Sequence, residues 1–284
     1  MDRRLSGATR VVGIIGWPVS HSLSPAIHNA AFDSLGMDWV YVPLPVPPGS
    51  VGAALAGLPA LGFAGANVTM PHKTEIADLL SGDLTEEASL LQSVNTIEVR
   101  GGGLFGHNTD APGFDRFLRQ DAGLDPRGVT ALLYGAGGAA RACALALAQA
   151  GAARITVAVR DAVRARALQA TLEGFTTTVE VIAFDGARGW RGDLVIDATP
   201  IGADGVGVPP EPAYAPGMMV VDLKYYPALT PLQTNARAAG AAAFGGLGLL
   251  LQQAALSFEI WSGRPAPLDV MSAAALGAIG DPGI

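Results

Sequence analysis

The sequence is short of cysteine, lysine, aromatics and charge, and each shortage closes off a class of protein. Its 284 residues include one cysteine, Cys143. That excludes an intramolecular disulfide framework and any multi-cysteine metal site, and it suits a reducing compartment. Charged residues make up 15 % and aromatics 6 %, yet half the chain is apolar, enough for a sizeable core and far from a disordered composition. The net charge of −7 argues against nucleic acid as the main partner. Long uninterrupted apolar runs are missing too. The most apolar stretches, 131–151 and 241–261, are broken by Arg141 and by Gln252, Gln253 and Glu259, and read as buried helix or strand–helix units. No apolar run follows the arginines of the first ten residues, so no signal peptide or membrane partner is expected and the expected location is the cytoplasm. Only Lys73 and Lys224 are lysine, against 16 arginines. Lysine can give up its proton when buried and arginine in practice cannot, which singles these two out.

Glycine and proline are plentiful, 37 and 20 residues, without a fixed period, so many tight turns are expected and a collagen helix is not. The pattern predicts strands at 10–15, 39–44, 62–69, 93–99 and 104–108, the last two forming a hairpin around Gly101–Gly103. Helices are predicted at 51–58, 72–80 and 85–91, and after Ser24 and Pro25, where Ser24 reads as the N-cap. A second unit starts near Asp110, with a helix over 112–120. Strands follow at 129–134, 155–159, 179–183, 194–198 and 218–223, and helices from after Ala140 to about 150 and at about 164–172, 248–261 and 270–278. Alternation of this kind predicts an α/β protein with mostly parallel sheets, the second Rossmann-like.

Two features carry chemistry. The first is Gly135-Ala136-Gly137-Gly138-Ala139-Ala140, between an apolar strand and an Ala-rich helix. Glycines there let backbone amides approach a pyrophosphate, and the helix N-terminus adds partial positive charge. The next strand ends Val159-Arg160-Asp161. Arg160 and Arg164 favour the 2′-phosphate of NADP, while Asp161 favours the free ribose hydroxyls of NAD. The second feature is a series of small polar residues at successive strand ends: Ser22 and Ser24; Asn67, Thr69 and Lys73; Asn95 and Thr96; Asn108, Thr109 and Asp110. They suit a small ligand with several hydroxyls and a carboxylate, because parallel sheets bind ligands at their carboxyl edge.

The chain resembles the shikimate dehydrogenases. The resemblance rests on Gly16-Trp17-Pro18-Val19-Ser20-His21-Ser22-Leu23-Ser24-Pro25 with His28-Asn29, Asn67-Val68-Thr69-Met70-Pro71-His72-Lys73, Val94-Asn95-Thr96 and Gly106-His107-Asn108-Thr109-Asp110-Ala111-Pro112-Gly113. Later matches are the loop from Gly135 to Arg141, Asp222-Leu223-Lys224-Tyr225 with Thr230-Pro231-Leu232, and the stretch from Gly246 to Ala254. It implies NADP-linked reduction of 3-dehydroshikimate to shikimate in aromatic amino-acid biosynthesis. It further implies a discontinuous substrate domain, 1–109 with 246–284, a dinucleotide domain, 110–245, and a cleft between them for both ligands. By the family pattern Ser22 and Ser24 bind the substrate carboxylate. Thr69, Lys73, Asn95 and Asp110 surround the hydroxyls and the reacting carbon, and Tyr225 and Gln253 complete the pocket. Gly135, Ala136, Gly137, Gly138 and Ala139 hold the pyrophosphate, Arg160 and Arg164 the adenosine phosphate, and Leu223 and Gly246 lie beside the nicotinamide. The family's Asn-Arg-Ser/Thr is Val159-Arg160-Asp161 here, and its Asn-Ala-Thr is Asp197-Ala198-Thr199.

Hydride transfer needs a group that exchanges a proton with the substrate oxygen. None of His21, His28, His72 and His107 has an orienting carboxylate evident in sequence. Lys73 is therefore the catalytic candidate, with Asp110 holding it and accepting a substrate hydroxyl. No metal site is expected. Two other readings remain: an NAD-preferring quinate/shikimate dehydrogenase, and a ligand-sensing regulator of the same fold. Retention of both Lys73 and Asp110 argues against the regulator. A monomer or a homodimer is expected.

Overall fold

The computed structural model describes residues 5–279. Up to residue 109 the chain alternates strand and helix: β1 (Arg10–Gly16), α1 (Ser24–Ser34), β2 (Trp39–Pro45), α2 (Val51–Ala60), β3 (Phe63–Val68), α3 (Lys73–Leu79), α4 (Glu86–Leu91), β4 (Thr96–Arg100) and β5 (Gly103–His107). The strands form one five-stranded sheet in the order β2-β1-β3-β4-β5. β2, β1 and β3 run parallel, and the β4–β5 hairpin adds antiparallel strands at one edge. Helical crossovers join the parallel strands, as their geometry requires, whereas a glycine turn suffices for the hairpin. Ile15, Ala66, Val68 and Ile97 pack with Val51, Leu55 and Leu58 of α2 and Ile76 of α3 into one core.

The second stretch holds α5 (Asp110–Arg116), continued by a π-helical turn at Phe117–Asp121, then β6 (Thr130–Tyr134), α6 (Gly138–Gln149), β7 (Arg154–Val159), α7 (Ala162–Thr171), β8 (Thr178–Ala183), β9 (Leu194–Asp197), β10 (Met219–Asp222), α8 (Pro231–Ala238) and β11 (Ala242–Gly245). These strands form a six-stranded, wholly parallel sheet in the order β11-β10-β9-β6-β7-β8. Ala131–Tyr134, Ile155–Val159 and Leu194–Asp197 are continuously buried, as expected of strands covered on both faces. The order reverses between β6 and β9, which makes the carboxyl ends of these two strands the switch point where such sheets take ligands. α9 (Leu247–Ser262) and α10 (Leu268–Ile279) close the described chain.

By contacts the chain divides into one unit that runs to Thr109 and resumes at Leu251, and a second unit, Asp110–Leu250. This division falls one turn into α9, whereas the motif-based division is drawn at 246. No helix among the described residues is long and apolar enough to cross a membrane.

Three local expectations need correction. Ser24 is not the N-cap of α1. Leu23 occupies that position with helical backbone, no side chain caps it, and Ser24 is already the first helical residue. Helix α8 and strand β11 are also absent from the sequence reading. Polar and small residues blur the period of α8, and what defines it is a capping box: Thr230 Oγ1 accepts from Gln233 N while Gln233 Oε1 accepts from Thr230 N. β11 has only four residues and gains its partner from β10.

Candidate active site

Loops at one edge of the first sheet are stitched by backbone hydrogen bonds. Trp17 N donates to the Met70 carbonyl at 3.1 Å, Thr69 N to Ile15 O at 2.9 Å and Val94 N to Lys73 O at 2.9 Å. Because β4 runs antiparallel, its start lies beside the end of β3, with Thr96 opposite both Asn67 and His107. The segments after β1, β3 and β5 and before β4 therefore meet at that edge, and they carry Ser22, Ser24, Thr69, Lys73, Asn95 and Thr109. Ser22 Oγ accepts from Ser24 N at 3.3 Å. Ser24 is buried; Ser22, Thr69 and Lys73 are half-buried, Lys73 as the first residue of α3. Asp110, also half-buried, follows Thr109 as the first residue of α5.

Beneath this edge lies a buried network of neutral groups. Asn67 Nδ2 donates to the Asn95 carbonyl, Thr96 Oγ1 and Ser257 Oγ at 3.0–3.1 Å, and Asn67 Oδ1 accepts from the Tyr41 hydroxyl at 2.8 Å. Asn95 Oδ1 accepts from Thr109 N at 2.8 Å and Asn95 Nδ2 donates to Thr109 Oγ1 at 2.9 Å. Ser257 lies within 2.8 Å of Thr96 Oγ1 and donates to the Gln253 carbonyl, so α9 is bonded into the same network. The sequence reading missed Ser257. A serine on an apolar helix carries no signal until its neighbours in space are known. Gln253 and Tyr225 are both half-buried, and burial pushes the Tyr225 phenol above its usual range.

The histidines divide by environment. His72 is fully buried with Nε2 2.7 Å from the Val46 carbonyl. His28 is fully buried and stacked on Tyr41, and desolvation pulls it down to about 3. His107 has a carboxylate beside it that sequence order does not reveal, Glu98 Oε2 at 3.3 Å. The hairpin register explains the pair: Thr96 faces His107 and Glu98 faces Phe105, so residues 98 and 107 are diagonal neighbours on one face. Burial lowers His107 and Glu98 opposes that shift.

In the second unit the turn after β6 is the conformational centre. Gly135 has φ +95°, a backbone open to glycine and strained for other residues. Gly137 is the N-cap of α6 and no side chain caps that helix, so its first amides are left to a ligand. They border a cavity of about 780 Å³ lined by Gly135, Ala136, Gly137, Gly138, Arg141, Arg160, Arg164, Phe184, Thr199 and Ile201, among others. Ala139, just behind, is exposed in the first turn of α6. A bare-backbone turn, an uncapped helix N-terminus and three arginines at one cavity fit a dinucleotide with an additional phosphate. Arg160 lies over the Phe184 ring at 5.3 Å. Asp161 caps α7, its Oδ1 accepting from Val163 N at 2.9 Å. Arg141, Phe184, Thr199 and Ile201 are cavity residues that the sequence reading did not assign; Phe184 follows a strand end, and only the sheet order brings that end to the cavity. Leu223 and Gly246 touch, and a Cβ on Gly246 would collide with the Leu223 carbonyl, so only glycine fits. Among the described residues no group of three or more His, Cys, Asp or Glu could hold a metal ion.

Comparison with known proteins follows the same geometry. A family model described as the shikimate dehydrogenase substrate binding domain matches residues 14–97, and one described as the shikimate 5′-dehydrogenase C-terminal domain matches 246–276. A relative from Citrifermentans bemidjiense, named shikimate dehydrogenase (NADP(+)), is 43 % identical over 98 % of this chain and 99 % of its own. Among solved structures, ligand-free 5-ketofructose reductase of Gluconobacter sp. strain CHM43 superposes with a TM-score of 0.90 at 32 % identity, over 96 % of this chain and 99 % of that one. Shikimate 5-dehydrogenase from Thermus thermophilus, in complex with NADP(H) and shikimate, gives 0.84 at 34 % identity, over 95 % and 99 %.

Proposed function

Because the chain belongs to the shikimate dehydrogenase family, we propose that it interconverts 3-dehydroshikimate and shikimate with NADP as the redox partner, through the residues set out below. It is an oxidoreductase. The observation that carries the reading is the near full-length identity to an NADP-dependent shikimate dehydrogenase.

When bound, NADPH supplies the hydride to the substrate carbonyl carbon. The chain supplies everything else. Lys73 delivers a proton to the carbonyl oxygen in reduction and receives it in oxidation. Asp110 accepts a hydrogen bond from a substrate hydroxyl and holds Lys73. Ser22 and Ser24 donate to the carboxylate, charge-assisted bonds stronger than neutral ones. Thr69, Asn95, Tyr225 and Gln253 meet the remaining hydroxyls. Backbone amides from Gly135 to Ala139 take the pyrophosphate, Arg160 and Arg164 the 2′-phosphate, and Leu223 and Gly246 flank the nicotinamide. The substrate-binding part is 1–109 with 246–284, and the dinucleotide-binding part 110–245. The enzyme acts on free small molecules in the cytoplasm, as a monomer or a homodimer.

An NAD-preferring quinate/shikimate dehydrogenase is the second reading, favoured by Asp161, an acidic residue lining the cavity along with Arg160 and Arg164. An absorbance assay at the nicotinamide band separates these, crossing shikimate and quinate with NADP+ and NAD+, and 5-ketofructose with NADPH and NADH. The proposal expects shikimate with NADP to give the highest kcat/KM. A higher value for quinate with NAD supports the second reading, and turnover confined to 5-ketofructose overturns both.

A further inference from the structure

Asp197 and Asp222 end the neighbouring parallel strands β9 and β10 directly opposite one another, and both are fully buried. Lys224 lies between them. Its Nζ is 2.8 Å from Asp197 Oδ2, 2.7 Å from Asp222 Oδ1 and 3.0 Å from the Thr199 carbonyl. An ammonium has three donors, and these three acceptors match them. Asp197 turns its other oxygen to the loop after β9, where Oδ1 accepts from Thr199 N at 2.8 Å and Thr199 Oγ1 at 2.7 Å. Asp222 Oδ2 accepts from the hydroxyl of Thr230, the cap of α8, at 2.7 Å.

The loop held in this way, Ala198–Ile201, is a wall of the dinucleotide cavity. It also backs the glycine turn: a Cβ on Gly135 would stand 3.4 Å from Thr199 Cγ2 and 3.5 Å from the Ala198 carbonyl. We propose that Lys224 is a positioning residue for the dinucleotide, fixing loop 198–201 against the Gly135 turn by bridging Asp197, Asp222 and the Thr199 carbonyl. The inference rests on the reading that this cavity takes NADP. Two buried carboxylates side by side cannot both stay ionised without a cation between them. Burial raises Asp197 and the Lys224 ammonium opposes it. Without Lys224, Asp197 takes up a proton or turns away, and either change releases Thr199. The acidic residue in Asp197-Ala198-Thr199 and the second lysine of the chain thus form a matched pair.

The test is titration of NADPH by its fluorescence, alongside steady-state kinetics. Lys224→Met is expected to weaken NADPH binding by about tenfold or more, with kcat and the shikimate KM changed by less than about threefold. Adding Asp197→Asn, which restores the local charge balance, is expected to recover most of the loss. Should Lys224→Met fail to fold, Asp197→Ala, which leaves Lys224 paired with Asp222, is expected to show the same selective loss. Unchanged NADPH affinity in the folded variant, or equal weakening of both ligands, overturns the role of Lys224. Failure of the wild-type protein itself to bind NADPH removes the cofactor assignment and this proposal with it.

Discussion

At the edge of the first sheet a set of buried polar side chains is neutral and bonded together: Asn67, Asn95, Thr96, Thr109 and Ser257 share donors and acceptors across β3, β4 and α9. At the edge of the second sheet two buried carboxylates, Asp197 and Asp222, are bridged by the Lys224 ammonium, and the cavity is bordered by bare amides and exposed or half-buried arginines. The difference follows the ligands proposed for each. A small polyhydroxylated acid is recognised by hydroxyl direction, which demands side chains that cannot rotate. A dinucleotide phosphate is recognised by charge, which tolerates mobile arginines but needs a backbone turn held in place.

The comparison can be broken at several points. The largest effect is expected at Lys73, since only a proton carrier acts in the transition state itself. Lys73→Ala should lower kcat by about a thousandfold or more, roughly 4 kcal/mol, and leave shikimate affinity within about tenfold. Stopped-flow or steady-state turnover checks it.

Next is the neutral network. Asn67→Leu takes an acceptor from the Tyr41 hydroxyl and a donor from the Thr96 and Ser257 oxygens, and should cost about 3 kcal/mol in urea unfolding. Arg164→Ala, a change at an exposed residue of the cavity rim, should cost less than about 0.5 kcal/mol.

His28 gives a smaller, pH-dependent effect. Burial holds its folded-state value at about 3, below the ordinary value of 6.5. The unfolded chain therefore binds the proton first, so this contribution to stability is complete above 6.5 and is lost as pH falls toward 3. Between pH 7 and pH 5 the loss should be about 2 kcal/mol. His28→Phe, which keeps a ring against Tyr41, should remove that part of the pH dependence, and denaturant melts at the two pH values measure it.

The smallest effects concern cofactor choice. Arg160→Ala should weaken NADP binding by about tenfold and leave NAD nearly unchanged, because the lost contact is to the 2′-phosphate. Asp161→Thr, which keeps a capping oxygen for α7 while removing the charge, should raise the NADP:NAD ratio of kcat/KM by about threefold.

Much of this was legible in the sequence because the informative residues are local. The glycines after β6, Ser22 before α1 and Ser24 as its first residue, and Lys73 at the start of α3 each sit at a strand-to-helix junction, which the alternating pattern of strand and helix locates. The parallel strands read clearly for the same reason: Ala131–Tyr134 and Ile155–Val159 are short apolar runs bounded by turns. What sequence could not supply is long-range pairing. Ser257 meets Thr96 across 161 positions and Lys224 meets Asp197 across 27, and neither pair has a periodic signature. Asp197 looked like an unexplained departure until β9 and β10 were placed in register. Helix α8 escaped because a capping box, not an apolar period, defines it.

The proposed recognition is divided, substrate at the first sheet's edge and cofactor at the second's. Isothermal titration of shikimate and of NADP+ into two variants tests it most directly. The double variant Ser22→Ala, Ser24→Ala should lose shikimate affinity by about tenfold to a hundredfold and keep its NADP+ affinity within about twofold, while Arg160→Ala should do the reverse. Equal weakening of both ligands in either variant, or no loss of shikimate affinity in the serine variant, would contradict it.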